Sequence, residues 1–324
     1  MARCRAHTAS TPSRGSALAS VSSLREASEL LASAHAEGRR VRIGESLVTE
    51  GLDRILEHEA GDLTCTVEAG VRLSVLNEAL GRHGQRLSLD PPGDPTVGAL
   101  LAENVSGPLR HRFGAPRDLV LGVTLVLADG TVASAGGKVV KNVAGYDLSR
   151  LVCGSRGRLA LIARVSFRLH PVPKAARTLV VETDDVPAAV AALSRSQLQP
   201  SALDVLHPGR VAVLLEGSER AVESQLRVAH GLVGGDETSP DVWDEARLRQ
   251  GAARGRVRFD PGRLAETLAE LPEAVVRPSA GIAYTPDERR PSGSEPQGHD
   301  GSDAVRRLVE RIERQFDPQG IFAA

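Results

Sequence analysis

Apolar positions along the chain switch repeatedly between helical and alternating periods, and the switches mark out its elements. Leu24, Ala27, Leu30, Leu31 and Ala34 follow a helical period, opened by Ser23 and Glu26 at capping-box spacing and closed near Gly38. Val41 to Ile43 reads as a short strand, Leu63 to Glu68 as a half-buried strand, and Leu73 to Leu80 as a helix ending near Gly81. That order is βαβ-like. After the turn residues Asp90-Pro91-Pro92-Gly93, a small-residue helix begins near Thr96. A long apolar strand then runs from Leu119 to Leu127 into the turn Ala128-Asp129-Gly130, and another spans Leu159 to Leu169. His170-Pro171-Val172-Pro173 breaks the pattern, because a residue before proline is pushed toward extended backbone.

Beyond that break, strands and helices alternate again. Leu179 to Glu182 reads as a strand, residues 186–196 as a helix, and the surroundings of His207-Pro208-Gly209 as a hairpin. Helices follow near 218–232 and 240–252. Residues 287–303, rich in Pro, Gly, Ser and charge, read as a surface loop, and a final amphipathic helix carries Val305, Leu308, Val309, Ile312 and Phe316. The expected organisation is a loose tail over 1–20, a first domain over 21–173 and a smaller α+β domain over 174–324; a length of 324 residues suits two domains.

Composition narrows the possible partners. A formal net charge of −1 supplies no basic face for nucleic acid or an anionic membrane. The cysteines, Cys4, Cys65 and Cys153, lie too far apart for a disulfide framework or a clustered metal motif, so no metal site is expected and a reducing, cytoplasmic setting is. No apolar run is long enough to span a bilayer, and no apolar export segment follows the first arginines.

The chemistry concentrates between Asp90 and Phe167. In the run from Asp90 through Thr96-Val97-Gly98 to Asn104-Val105-Ser106-Gly107-Pro108, small residues let backbone approach a ligand, and Thr, Asn and Ser offer hydrogen bonds to phosphate or ribitol. On composition alone, a loop made only of turns is the simpler reading. The ordered set that follows is more specific: Arg117-Asp118 before a strand, then Gly136-Gly137-Lys138-Val139-Val140-Lys141-Asn142-Val143-Ala144-Gly145-Tyr146-Asp147-Leu148, then Cys153-Gly154-Ser155-Arg156-Gly157. With Leu206-His207-Pro208-Gly209-Arg210 and the ending Phe316-Asp317-Pro318-Gln319-Gly320-Ile321-Phe322, it resembles the FAD-binding E subunits of bacterial glycolate oxidases, within the vanillyl-alcohol-oxidase or PCMH-type FAD-binding superfamily.

That resemblance implies an α+β fold, with a PCMH-type FAD-binding domain of two α/β subdomains followed by a smaller α+β C-terminal domain. It implies non-covalently held FAD and oxidation of a small 2-hydroxy acid such as glycolate. The implied partners are a sibling flavoprotein subunit and an iron–sulfur subunit, consistent with a chain whose scattered cysteines cannot ligate a cluster. A non-catalytic assembly subunit that has lost tight FAD binding is the alternative. By resemblance, Pro92, Gly93, Thr96, Gly98, Asn104, Ser106 and Gly107 lie near the flavin or pyrophosphate, with Gly154, Gly157 and Ile162 further along the cofactor. Asn142 is a further candidate. For Tyr146 and Asp147, packing and helix capping are the competing roles.

The chain also departs from the family. After Val41 to Ile43 only Gly44-Glu45-Ser46-Leu47-Val48-Thr49-Glu50 precedes Gly51, a shortened stretch where a glycine-rich pyrophosphate loop is expected, and Glu45 places a negative charge there. Ala99 follows Gly98, and Ala160 stands where glycine is expected. A 2-hydroxy-acid oxidase needs a base and a cation for the carboxylate. None of the nine histidines is assigned that role, and Arg110-His111-Arg112 reads first as an exposed turn.

Overall fold

The computed structural model describes residues 19–137, 147–288 and 303–322. Helix α1 (Leu24–Ala36) starts where the capping box places it: the Ser23 hydroxyl accepts from the Glu26 amide at 3.2 Å, and the Glu26 carboxylate accepts from the Ser22 amide at 2.8 Å. Its buried face, Ala27, Leu31 and Ala34, packs with Val21, Leu47, Leu52 and Leu161, and with Ile321 and Phe322 from the other end of the chain. The expected strand Val41 to Ile43 is reduced to two isolated bridges, Val41 with Phe322 and Ile43 with Leu47. The cause is local: the Arg42 carbonyl accepts from the amides of Glu45, Ser46 and Leu47, which curls the chain into a tight turn.

A five-stranded sheet forms the second layer, from β1 (Ile55–Glu59), β2 (Thr64–Glu68), β3 (Val120–Val126), β4 (Val132–Gly136) and β5 (Leu161–Arg168), in the order β1-β2-β5-β3-β4. Every pairing in it is antiparallel, which corrects the βαβ-like expectation. The long excursion after Glu68 returns as β3 beside β5 rather than beside β2. That excursion carries α2 (Leu73–Gly81) and α3 (Val97–Glu103), whose Leu76, Leu80, Leu100 and Leu101 share a core with Val67, Val123, Val165 and Phe167 from the strands.

The second domain is a seven-stranded antiparallel sheet of β6 (Ala175–Glu182), β7 (Ala202–His207), β8 (Arg210–Gly217), β9 (Asp236–Thr238), β10 (Gly255–Arg258), β11 (Ala274–Arg277) and β12 (Ile282–Thr285), ordered β9-β6-β8-β7-β11-β12-β10. Along β7 the faces alternate. Leu203 and Val205 join the core under helices Val186–Arg195 and Glu219–Val233, while Ala202 and Leu206 face helix Asp241–Gly251 with its buried Val242 and Trp243. The Trp243 indole donates to the Thr178 hydroxyl at 3.0 Å, so the large ring is anchored at its polar edge. Gly251 at the end of that helix abuts the first domain, where a Cβ would lie 3.1 Å from Pro92.

Close backbone approach sets one stability expectation. A Cβ on Gly70 would lie 2.1 Å from the Thr49 carbonyl and 2.8 Å from that of Leu52, with only backbone in the way. Gly70→Ala should cost about 2 kcal/mol or more in urea unfolding, whereas Gly137→Ala, with nothing within 4 Å, should stay within about 0.5 kcal/mol of wild type. Equal midpoints for the two variants would mean that the Gly70 contact does not constrain the fold.

Candidate cofactor cleft

A cavity of about 350 Å³ opens between the 43–50 segment and the layer formed by α3 and residues 156–162. Thr96, Gly98, Gly157 and Ile162, four of the residues expected around the cofactor, line it together with Ile43, Gly44, Thr49, Arg72 and Arg156. Thr96 caps α3, its hydroxyl oxygen accepting from the Ala99 amide at 3.3 Å. Gly98 lets α3 lie against the end of β2, since a Cβ there would sit 3.0 Å from that of Ala69. Gly157, at φ +75°, holds a left-handed backbone with Ile43 3.0 Å from where its Cβ would be.

Backbone donors are scarce around this cleft. The Glu45, Ser46 and Leu47 amides are spent on the Arg42 carbonyl, the Gly44 amide on Leu47, and the first amides of α3, Val97 and Gly98, on the carbonyls of Val71 and Ala69. The shortened loop is thus closed on itself. Positive charge comes instead from side chains: Arg72 lies 4.0 Å from Glu50 and Arg156 lies 3.3 Å from Glu103, both loose, exposed pairs on the lining. Glu45 is exposed and paired with Arg42 at 3.2 Å, off the lining, so its expected repulsion of an anion is not built into the cleft. Two guanidiniums, the Thr49 and Thr96 hydroxyls and close-packed glycines form a donor set that fits a dinucleotide diphosphate, carried by side chains rather than by a loop of amides.

The remaining expected residues lie elsewhere. Pro92 packs against Gly251 of the second domain, and Gly93 beside it holds a left-handed backbone at φ +68° with open space where a Cβ would lie. Asn104 ends α3 in the left-handed region, its side-chain oxygen accepting from the Arg117 amide at 3.3 Å, and Gly154, at φ +83°, lies beside it. Gly107 permits a very close approach to the Asp90 carbonyl. Asn142 and Tyr146 fall outside the described residues. Asp147 caps the helical turn Leu148–Leu151, accepting from the Arg150 amide at 3.1 Å.

Ser106 is buried and ties the domains together. Its carbonyl accepts from Gln250 at 2.9 Å and from Arg277 at 3.2 Å, Gln250 in turn accepts from Arg277 at 2.6 Å, and Arg277 lies 3.5 Å from Asp204. Arg277 and Asp204 are almost wholly buried. Burial pushes the Asp204 carboxyl up to about 6 against the pull of Arg277 and Arg247, and pushes Asp90, whose carboxylate accepts from the Leu109 amide, up to about 7. Arg110, bonded to the Ser106 hydroxyl, is held below its ordinary pKa by burial, and so is His111, which meets Ser279 at 3.0 Å. The Arg110-His111-Arg112 segment is therefore partly a domain contact rather than a plain exposed turn. None of Asp204, Gln250 and Arg277 belongs to a sequence motif; the one local signal is an arginine closing the apolar strand Ala274-Val275-Val276.

Burial raises both described cysteines, Cys65 and Cys153, to about 12, so neither is a reactive thiolate. Among the described residues no group of His, Cys, Asp and Glu is placed to hold a metal ion, and no helix is long and apolar enough to cross a membrane.

Residues 31–136 match the family described as an FAD binding domain. Over 201 residues the chain is 34% identical to glycolate oxidase subunit GlcE of Escherichia coli (strain K12), covering 60% of this chain and 56% of that protein. It is 32% identical over 173 residues to glycolate oxidase subunit GlcD of Bacillus subtilis (strain 168), covering 52% and 37%, and 36% identical over 164 residues to a D-lactate dehydrogenase of Archaeoglobus fulgidus, covering 49% and 36%. The matches thus span about half the length of these relatives or less. An alkyldihydroxyacetonephosphate synthase superposes with a TM-score of 0.72 at 16% identity, over 94% of this chain and 76% of that one, and shares the fold.

The raised carboxyls predict a pH dependence of stability. In the folded chain Asp90 and Asp204 hold protons that the unfolded chain, near 3.8, releases. Their contribution is therefore complete below the unfolded value and lost as pH rises through about 6 and 7. Between about pH 4 and pH 7.5, Asp90→Asn should gain on wild type by up to about 3 kcal/mol in urea unfolding, and Asp204→Asn by somewhat less. Variants that track wild type across that range would show that these groups do not titrate in the fold.

Proposed function

We propose that this chain, which carries an FAD binding domain over residues 31–136, is the flavin-holding subunit of a complex that oxidises a small 2-hydroxy acid such as glycolate. The observation that carries the reading is the cleft in which Thr96, Gly98, Gly157 and Ile162 converge with Arg72 and Arg156. Bound FAD would supply the acceptor for the two electrons leaving the hydroxyl-bearing carbon. The chain's own contribution is to hold it: Arg72 and Arg156 neutralise the diphosphate, Thr96 and Thr49 offer hydroxyls, and the glycines admit the cofactor against backbone. The relatives named as glycolate oxidase subunits support a multi-subunit setting. In the proposed arrangement a sibling flavoprotein subunit and an iron–sulfur subunit take the electrons onward, in the cytoplasm.

One observation favours the alternative of an assembly subunit with weak FAD binding: the 42–47 turn spends its amides on itself. A visible flavin spectrum of the isolated chain separates the two readings. Retained FAD supports the holding subunit, and a colourless chain that takes up FAD only with its partner subunits supports the assembly role.

The cleft assignment has its own test. Fluorescence titration with FAD should show the double variant Arg72→Ala, Arg156→Ala weakened by about tenfold or more, while Glu45→Gly stays within roughly threefold of wild type. Unchanged affinity in the double variant would place the cofactor elsewhere.

A further inference from the structure

A second cavity, of about 450 Å³, opens at the joint between the two domains, lined by a residue set distinct from that of the cofactor cleft. Its walls come from both domains and the segment between them: Arg86, Arg112 and Phe113 of the first domain, the connecting residues 171–174, Ser201 just before β7, and Glu216 of β8. Arg86 forks onto Glu216 at 2.9 and 2.6 Å, a pair that cancels its own charge. Glu216 is the only carboxylate on the described lining, against Arg86, Arg112 and Lys174. Among the described residues Arg112 has no carboxylate partner; it donates to the Gln199 carbonyl at 3.5 Å and lies over the Phe113 ring. The lining therefore carries a net positive charge.

Two further features belong to residues of the lining. The Ser201 hydroxyl, on a side chain with no solvent exposure, and the Arg86 Nε are buried without a hydrogen-bond partner among the described residues. The Phe113 ring, flanked by the guanidinium carbons of Arg86 and Arg112 at 5.5 and 5.8 Å and by the His170 ring at 4.6 Å, adds an apolar wall with Pro171 and Val172.

We propose that this cavity binds a small organic anion, its phosphate or carboxylate group between Arg112 and Lys174 and its carbon skeleton against Phe113 and Pro171. An anion seated there touches both domains and the segment joining them, so its binding ties the joint.

The experiment is isothermal titration of the full chain, saturated with FAD, with inorganic phosphate and separately with citrate, at ionic strength fixed with sodium chloride. At least one should saturate below about 10 mM, and the double variant Arg112→Ala, Lys174→Ala should bind it about tenfold more weakly or worse. Phosphate alone saturating identifies a phosphate group, and citrate alone a carboxylate. The single change Lys174→Gln, at an exposed residue, should weaken binding in the same direction if the double variant folds poorly. Failure of both anions to saturate, or equal affinity in the Arg112 and Lys174 variants, would overturn the proposal.

Discussion

The two domains meet on one buried polar knot, in which the carbonyl of Ser106 receives both the Arg277 guanidinium and the Gln250 amide. A guanidinium with almost no access to water is costly unless its donors are met; here Ser106 and Gln250 accept from its two terminal nitrogens, while its Nε has only the charge of Asp204 at 3.5 Å, an ion pair without a hydrogen bond. The knot fixes the Asp90–Ser106 loop from behind. That loop runs directly into and out of α3, which forms a wall of the cofactor cleft, so the position of the second domain and the shape of the cleft are set by the same few bonds.

The cleft itself departs from a loop of amides wrapped around an anion. Its backbone donors are already committed, at the 42–47 turn and at the start of α3, and guanidinium groups stand in for them. Such a design exchanges a preorganised cradle for flexible side chains that must each be ordered on binding, which lowers affinity for the same number of contacts. It also leaves each arginine paired with an exposed glutamate, Glu50 or Glu103, that would compete with a bound anion for it.

Local chemistry was legible in the residues. The capping box at Ser23, the cap at Thr96, the turn glycines and the amphipathic helices stand where short-range rules put them, because caps and periods are decided within a few residues. Pairing was not legible. Nothing in Leu63 to Glu68 says which strand lies beside it, and the antiparallel order follows from where the chain returns after α3. Pro92, Gly93 and Ser106 have the composition of ligand loops, yet Pro92 and Ser106 meet the second domain instead. Small and polar residues suit any close backbone approach, whether to a cofactor or to another domain. Arg72 and Arg277 carry no motif, and Arg156, though it stands within Cys153-Gly154-Ser155-Arg156-Gly157, is not among the residues that the resemblance places at the cofactor; only the folded arrangement separates the three from the many exposed arginines.

Ile321 and Phe322 insert into the same core as α1, and Phe322 bridges Val41. A layer synthesised before the second sheet therefore waits for residues synthesised after that sheet before its hydrophobic interior closes. During synthesis, α1 and its neighbours would stand with an open flank while the whole second domain emerges and folds, which makes the nascent N-terminal layer a natural client for chaperones.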